Sequence, residues 1–206
     1  GQLLGERLSK LALLAAPWHF SAYPEQARAD AARAWEGIDA LGRALGAVPV
    51  PLLNPLFWSL DESGIAAKFE ALAARDGVGD SDAADPSADP SADPSLAFFA
   101  AIEDWAGSGA PLPLPAARDL FRHAFGTDQI GRGRWRVRGQ PIAPERLSAP
   151  ILDISASADR IVPPATRVRA GNVRHLDADC GHVGLVIGRA AERQLWQPLS
   201  NWLRER

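Results

Sequence analysis

The sequence predicts an α/β protein with a parallel sheet into which a block of helices is inserted. Short strands are predicted near the start of the chain, at residues 8–16, and again near its end, at residues 150–155 and 173–176. The segments between them repeat apolar residues every three or four positions, which is the period of an amphipathic helix. Strands that are separated by helices at both ends of a chain favour a parallel sheet.

Three regions follow from this pattern. We expect residues 1–20 to contribute one strand of the core, residues 21–130 to form a helical cap, and residues 131–206 to complete the core. Residues 8–16 are apolar throughout their second half, which is typical of a strand in a sheet covered on both sides. A helix is predicted over residues 24–46 and a proline-rich connection over residues 49–55, before a helix capped by Asp61 or Ser63.

Residues 77–95 differ from the rest of the chain. Ala-Asp-Pro-Ser occurs three times in succession from Ala84, and the segment is acidic and nearly free of large apolar residues. Such a composition cannot bury enough surface to become ordered, so we expect a mobile insertion without a function.

Beyond this segment the helical pattern resumes at about residue 95. Residues 134–142 predict a strand and a turn, and a closing helix begins near Leu185.

Composition excludes several classes of protein. The chain has 206 residues, of which 47% are hydrophobic, and a formal charge of −3, so a disordered or strongly basic nucleic-acid-binding protein is not indicated. No run of 18 apolar residues is present, which predicts no membrane span and favours a cytoplasmic protein. Cys180 is the single cysteine, which excludes a disulfide framework. The chain begins at Gly1 without any Met, which predicts that it was processed or cut from a longer protein.

Two residues that could carry chemistry follow the last two strands. Asp159 comes just after the strand at residues 150–155, and His182 comes 23 residues later, in a glycine-containing loop after the strand at residues 173–176. In parallel sheets, reactive groups gather beyond the carboxyl ends of strands. A strand, an Asp loop, a further strand, a His loop and a helix is the order in which α/β-hydrolases present the acid and base of a catalytic triad. Each residue alone would more often be a helix cap or a loop residue.

A nucleophile for such a triad is missing from the sequence. The nucleophile elbow of α/β-hydrolases reads Gly-x-Ser-x-Gly, or has Cys in place of Ser, between a strand and a helix, and no such pattern occurs. Cys180 lies only two residues before His182 in the same loop, and it is more typical of a small buried residue than of a nucleophile. The elbow is therefore expected upstream of Gly1.

Several motifs together resemble the polyhydroxyalkanoate synthase family. They are residues 11–20 (Leu-Ala-Leu-Leu-Ala-Ala-Pro-Trp-His-Phe), Glu103 to Trp105 with Pro111 to Pro113, residues 134–150, residues 157–163 (Ser-Ala-Asp-Arg-Ile-Val-Pro) and residues 181–184 (Gly-His-Val-Gly). The last two are the most specific. The chain resembles the C-terminal part of these synthases, which implies a partial α/β-hydrolase fold with an inserted cap.

The resemblance also implies a reaction. Synthases of this family transfer an acyl group from a hydroxyacyl-coenzyme A to a Cys or Ser nucleophile, and His182 would be the base and Asp159 the acid that orients it. Two alternatives remain open: an ester or polyester hydrolase of the same fold, and a non-catalytic binding or structural remnant. Homodimerisation through the cap is one option for a protein partner, and neither a cofactor nor a metal ion is expected.

His19 and four arginines near residue 135 are the other basic residues considered for a role in the site. His19 stands where many synthases have Asp, and its role is left open. Arg132, Arg134, Arg136 and Arg138 alternate, which in a strand would place them on one face. That face could attract the phosphates of coenzyme A, but a charged edge that prevents pairing with other chains is the more typical explanation.

Overall fold

A computed structural model describes residues 4–76 and 94–205 and divides the chain into two compact units. The first unit combines Gly1–Glu36 with Arg118–Arg206, and the second is Gly37–Ala117. The assignment of residues 21–130 to a cap stays a prediction.

The described residues form the following strands and helices. In chain order the strands are β1 (Leu11–Leu14), β2 (Ala47–Val48), β3 (Leu112–Pro113), β4 (Arg136–Val137), β5 (Gln140–Pro141), β6 (Ile151–Ala156) and β7 (Val173–Ala178). The helices are α1 (Glu25–Leu45), α2 (Val50–Leu60), α3 (Glu62–Asp76), α4 (Pro94–Gly107), α5 (Leu114–Arg118), α6 (Gly184–Ile187) and α7 (Gln197–Arg204). The π-helical segments Asp119–Gly126 and Glu192–Trp196 follow α5 and precede α7.

A three-stranded parallel sheet forms the core of the first unit. Strand β6 lies between β1 and β7, with Leu11 beside Ile151 and Ala156 beside Ala178. The predicted α/β class with a parallel sheet is confirmed. Because all three strands run in the same direction, the loops that follow them leave the sheet at one edge.

The central strand is the most buried element of the fold. All six residues of β6 are buried. One face of the sheet packs against the C-terminal helices, and this cluster comprises Leu152, Ile154, Ala156, Ala178, Leu185, Leu195 and Trp202. Burial on both faces is usual for an interior strand of a parallel sheet, and here it includes the polar residues Asp153 and Ser155.

The observed limits of β1 are narrower than predicted. A strand was expected over residues 8–16, whereas β1 comprises Leu11–Leu14. Ala15 has a φ of 43°, which is outside the extended region and ends the strand there. Strands β6 and β7 were predicted within one or two residues of their observed ends.

The second unit contains helices α2 to α4 and the short antiparallel pair of β2 and β3. Helix α1 ends before Gly46, whose φ of 74° is typical of the residue after a helix. The predicted connection over residues 49–55 is wrong, because helix α2 covers most of it. Pro51 lies in the first helical turn, where a missing N–H costs no hydrogen bond, and the helix continues past Pro55 while burying Leu53 and Leu56.

Helix α3 is capped as expected, since the Gly64 N–H donates a hydrogen bond of 3.1 Å to the Asp61 carboxylate. Three large aromatic residues of α3 and α4 are exposed. Phe69, Phe98 and Trp105 are each about half exposed or more.

The predicted mobile insertion lies outside the described residues, apart from its last two positions. Helix α4 begins at Pro94, so residues 94 and 95 belong to a helix. None of the helices within the described ranges has both the length and the apolar character that crossing a membrane demands.

Candidate functional site

Asp159 is held in a fixed position at the end of β6. The residue is 4% exposed, and its main-chain N–H donates a hydrogen bond of 3.1 Å to the Ala156 carbonyl, which turns the chain sharply away from the strand. Its side-chain Oδ1 accepts a hydrogen bond of 2.7 Å from the Val162 N–H. The Asp159 side chain therefore holds the loop that follows it, because it accepts a hydrogen bond from the main chain three residues later.

His182 lies in the loop between β7 and α6, and this loop is attached to the Asp159 loop through main-chain hydrogen bonds. The Ser157 N–H donates to the Ala178 carbonyl at 2.8 Å, and the Ala158 N–H donates to the Cys180 carbonyl at 3.0 Å. Both bonds extend the β6–β7 pairing beyond the strands. The relative position of the two loops is thus set by the sheet.

The structure brings the two predicted site residues together. The Nδ1 atom of His182 lies 2.7 Å from Oδ2 of Asp159. The Asp159 side chain is fully buried, whereas 35% of the His182 side chain is exposed. A buried carboxylate at Nδ1 fixes the orientation and the tautomer of the ring, so Nε2 is the nitrogen left to take or give a proton. A catalytic role for the pair stays a prediction at this point.

Cys180 lies near this pair but lacks the properties of an activated thiol. Burial raises the pKa of the Cys180 thiol, and the negative charges of Asp159 and Asp179 raise it further. A catalytic cysteine requires a lowered pKa, because the thiolate is the nucleophile. The raised pKa is that of an unactivated, partly buried thiol, and the exclusion of Cys180 as the nucleophile stays a prediction.

His19 follows β1 at the same edge of the sheet. Its main-chain N–H donates to the Thr166 carbonyl at 2.8 Å, and its Nε2 is buried without a hydrogen-bond partner among the described residues. Burial lowers the pKa of His19, and the positive charge of Arg169 lowers it further. The lowered pKa favours the neutral form of the His19 imidazole near pH 7.

Asp128 is a structural residue that the sequence reasoning missed. It is 3% exposed, and its Oδ1 accepts hydrogen bonds of 3.0 Å from the main-chain N–H groups of Phe20 and Gly131. Burial alone would raise the pKa of Asp128, but hydrogen bonds from Ser21, Phe20 and Gly131 outweigh it and lower the pKa. An Asp followed three residues later by a Gly is the sequence signal of such a turn.

The prediction that four arginines share one face of a strand is wrong. Only Arg136 lies in a strand, β4, which is two residues long and pairs with β5. Arg138 occupies the turn with a φ of 51°, and Arg132 lies in an earlier turn. All four side chains are exposed, so a charged surface remains, but it is a hairpin with an adjoining loop.

The other two histidines lie elsewhere. His123 Nδ1 is 3.0 Å from Asp119 Oδ1 on the π-helical segment, and His175 is an exposed residue of β7. No group of three or more His, Cys, Asp or Glu side chains suited to a metal ion occurs within residues 4–76 and 94–205.

Three curated relatives match the chain, and each is named poly(3-hydroxyalkanoate) polymerase subunit PhaC. The protein of Haloferax mediterranei is 23% identical over 114 residues, that of Haloarcula marismortui 19% over 114 residues, and that of Synechocystis 22% over 178 residues. The predicted resemblance to the polyhydroxyalkanoate synthases is confirmed. The alignments cover 52%, 52% and 82% of this chain but 23%, 24% and 43% of the relatives, so the chain spans less than half of each synthase.

Other comparisons add little to the synthase resemblance. A protein described as the non-heme bromoperoxidase BpoC of Mycobacterium tuberculosis superposes with a TM-score of 0.39 at 15% identity, over 93% of this chain and 59% of that chain. This likeness is too low to assign a fold. No protein-family model matches the chain.

The synthase-like motifs can now be located in the structure. Residues 157–163 and 181–184, the most specific motifs, are the two loops that bring Asp159 and His182 together. Residues 11–20 contain β1 and the turn that follows it, and residues 134–150 contain the β4–β5 hairpin.

Proposed function

We propose that this chain carries the acid and base of an acyltransferase that uses hydroxyacyl-coenzyme A thioesters in polyhydroxyalkanoate synthesis. The observation that carries the proposal is the bond of 2.7 Å between His182 Nδ1 and the buried Asp159 carboxylate, at the carboxyl edge of a parallel sheet. The relatives named as polymerase subunits support the polymer-forming reaction. A Cys or Ser of an elbow outside this sequence supplies the nucleophile.

The proposed reaction has two steps. In the first, His182 Nε2 takes the proton of the nucleophile while the thiol or hydroxyl attacks the thioester carbonyl; the carbon–sulfur bond to coenzyme A breaks, and the leaving thiolate takes that proton. In the second, the hydroxyl of another hydroxyacyl group gives its proton to Nε2 and attacks the acyl-enzyme. An ester bond forms, the bond between the acyl carbon and the nucleophile breaks, and the proton returns from Nε2 to the nucleophile.

Asp159 contributes to both steps without touching the substrate. The ring of His182 becomes positively charged each time it holds two protons, and a buried carboxylate next to Nδ1 stabilises that charge. The same contact prevents the ring from turning and leaves Nε2 available for proton transfer.

The test uses the protein made from the complete open reading frame that contains this sequence. With hydroxybutyryl-coenzyme A as the substrate, we expect thiol release and growth of a polyester. Asp159→Asn should preserve the fold and lower the rate by about 10²–10⁴-fold, because the wrong ring tautomer is then favoured.

Three results would contradict the proposal. Release of free hydroxybutyrate without chain growth would indicate an ester hydrolase. An Asp159→Asn protein as active as the wild type would show that the pair is not catalytic, and a wild-type protein without thiol release would favour the non-catalytic alternative.

A further inference from the structure

Tyr23 is the single tyrosine of the chain, and its hydroxyl reaches the loop that carries Asp159. The residue is 4% exposed, and the hydroxyl donates a hydrogen bond of 3.0 Å to the main-chain carbonyl of Ile161. Tyr23 comes nine residues after the end of β1, so this contact joins two segments that are distant in sequence.

The Ile161 carbonyl and the Val162 N–H belong to the same peptide group. The carbonyl accepts the hydrogen bond from Tyr23, and the N–H donates a bond of 2.7 Å to Oδ1 of Asp159. The other carboxylate oxygen, Oδ2, is 2.7 Å from His182 Nδ1. A line of three hydrogen bonds therefore runs from the tyrosine hydroxyl through one peptide plane and one carboxylate to the imidazole ring.

The Tyr23 hydroxyl, which is the first donor in this line, is held in position by the packing of its ring. The Tyr23 ring packs against Phe20 and Phe125, with ring centroids 5.7 Å and 5.0 Å away. Phe20 is in turn anchored by its main-chain hydrogen bond to Asp128. Burial raises the pKa of Tyr23, and the charge of Asp159 raises it further, so the hydroxyl stays protonated and remains a donor.

We propose that Tyr23 is a positioning residue for the Asp159–His182 pair and acts through the Ile161–Val162 peptide group. This inference rests on the proposed function. A peptide group is planar, so fixing the direction of its carbonyl also fixes the direction of its N–H. The hydroxyl also polarises the peptide, and hydrogen bonds in a line strengthen one another. Without the hydroxyl, the peptide plane can rotate and Asp159 loses a fixed donor.

The simpler explanation is that Tyr23 only fills the core and that its hydroxyl satisfies a buried carbonyl, as buried tyrosines usually do. The two explanations differ in one respect. A packing role affects stability alone, whereas a positioning role changes the hydrogen bond between Asp159 and His182.

The experiment measures that hydrogen bond directly, by proton NMR on this chain labelled with ¹⁵N-histidine. The proton on His182 Nδ1 should give a low-field resonance, and its exchange with water reports how firmly Asp159 holds it. Asp159→Asn shows the spectrum expected when the hydrogen bond from His182 Nδ1 to the carboxylate is lost completely. In Tyr23→Phe, which keeps the ring, we expect exchange to be about three- to tenfold faster, the factor that loss of one net hydrogen bond corresponds to.

Thr166→Val is the matched control. The Thr166 hydroxyl is buried and donates a hydrogen bond of 2.7 Å to the Pro163 carbonyl, in the same loop but in a different peptide group. This variant also removes one buried hydroxyl, so it should cost similar stability and leave the His182 exchange within about twofold of the wild type, below the effect of one hydrogen bond.

A second experiment keeps the hydroxyl and changes its strength as a donor. Replacing tyrosine with 3-fluorotyrosine places one fluorine beside the hydroxyl of Tyr23 and alters no other position, because the chain has no other tyrosine. The fluorine makes the hydroxyl a stronger donor, so exchange of the His182 proton should become slower.

The outcomes separate this inference from the proposed function. If Asp159→Asn abolishes the resonance while Tyr23→Phe behaves as Thr166→Val does, Tyr23 only packs and the inference is overturned, although the pair can still be catalytic. If the wild type lacks the resonance, both ideas fail. If acyl transfer is unaffected by Asp159→Asn, the proposed function fails, whatever the exchange rates are.

Discussion

Removing the Asp128 carboxylate is predicted to loosen the turn after β1, which carries Tyr23 towards the site. Asp128 Oδ1 accepts hydrogen bonds from the Phe20 and Gly131 N–H groups, both at 3.0 Å. Hydrogen bonds to a charged group contribute about 1.5–3 kcal/mol each. The second donor is only partly buried, so the two bonds together should stabilise the fold by about 3 kcal/mol, near the lower end of that range.

Three substitutions at Asp128 separate the charge, the acceptor and the backbone conformation. Asp128 has a φ of 49°, a region that Asn and Gly adopt easily and Ala does not. Asp128→Asn keeps a neutral acceptor of about half the strength and should lower the free energy of unfolding by about 1.5 kcal/mol. Asp128→Gly removes the acceptor without backbone strain and should cost about 3 kcal/mol. Asp128→Ala adds roughly 1 kcal/mol of strain to that loss.

The assay is urea denaturation at pH 7, with amide hydrogen exchange of Phe20 and Gly131 to locate the effect. Both amides should exchange faster in Asp128→Gly. Folding lowers the pKa of Asp128, so its contribution is present above the ordinary value of 3.8 and is lost as the pH falls through the lowered value. A protonated carboxyl is still a neutral acceptor, so wild type and Asp128→Asn should converge in strong acid. An Asp128→Gly protein as stable as wild type at pH 7 would refute the reasoning.

Three further predictions concern other buried or confined groups. Gly131→Ala should destabilise the fold by about 1–3 kcal/mol in thermal unfolding, since a Cβ would lie 2.6 Å from Asp128 Oδ1 and 2.9 Å from His19 Nδ1; an unchanged melting temperature would count against this geometry. Burial raises the pKa of Asp153, so its contribution to stability is favourable below the ordinary value of 3.8 and is lost as the pH rises through the raised value. The free energy of unfolding of Asp153→Asn, relative to that of wild type, should therefore rise from pH 4 to pH 8. The same difference between the two proteins at both pH values would contradict this. Cys180 should react with a thiol reagent more slowly than a free cysteine at pH 8, because burial raises its pKa; a rate above that of the free thiol would show an activated cysteine.

The sheet and the contact between Asp159 and His182 could be predicted from the sequence. A strand buried in a parallel sheet is rich in branched apolar residues. Ile151, Leu152 and Ile154 fit this pattern, and the strand predicted at residues 150–155 was observed one residue later as Ile151–Ala156. Once the strands were placed, the residues directly after them had to share one edge of the sheet. The order of the two loops then sufficed to pair Asp159 with His182.

The features that the sequence did not reveal depend on contacts between distant segments. Pro55 indicated a connection because proline usually ends a helix, whereas burial of Leu53 and Leu56 maintains α2 through it. Alternation of arginines indicated a strand, but the φ of 51° at Arg138 makes a turn instead. The bond from Tyr23 to Ile161 joins residues 138 positions apart, and no local pattern encodes such a contact.

The most direct test of the catalytic pair compares two histidines in the protein made from the complete open reading frame. His182→Ala removes the proposed base, and His175→Ala removes an exposed histidine of β7 as a control. The measurement is the initial rate of thiol release from hydroxybutyryl-coenzyme A at equal concentrations of folded protein. We expect His182→Ala to lower the rate by about 10²–10⁴-fold and His175→Ala to leave it within about twofold of the wild type. Equal rates in the two variants would contradict a catalytic role for His182.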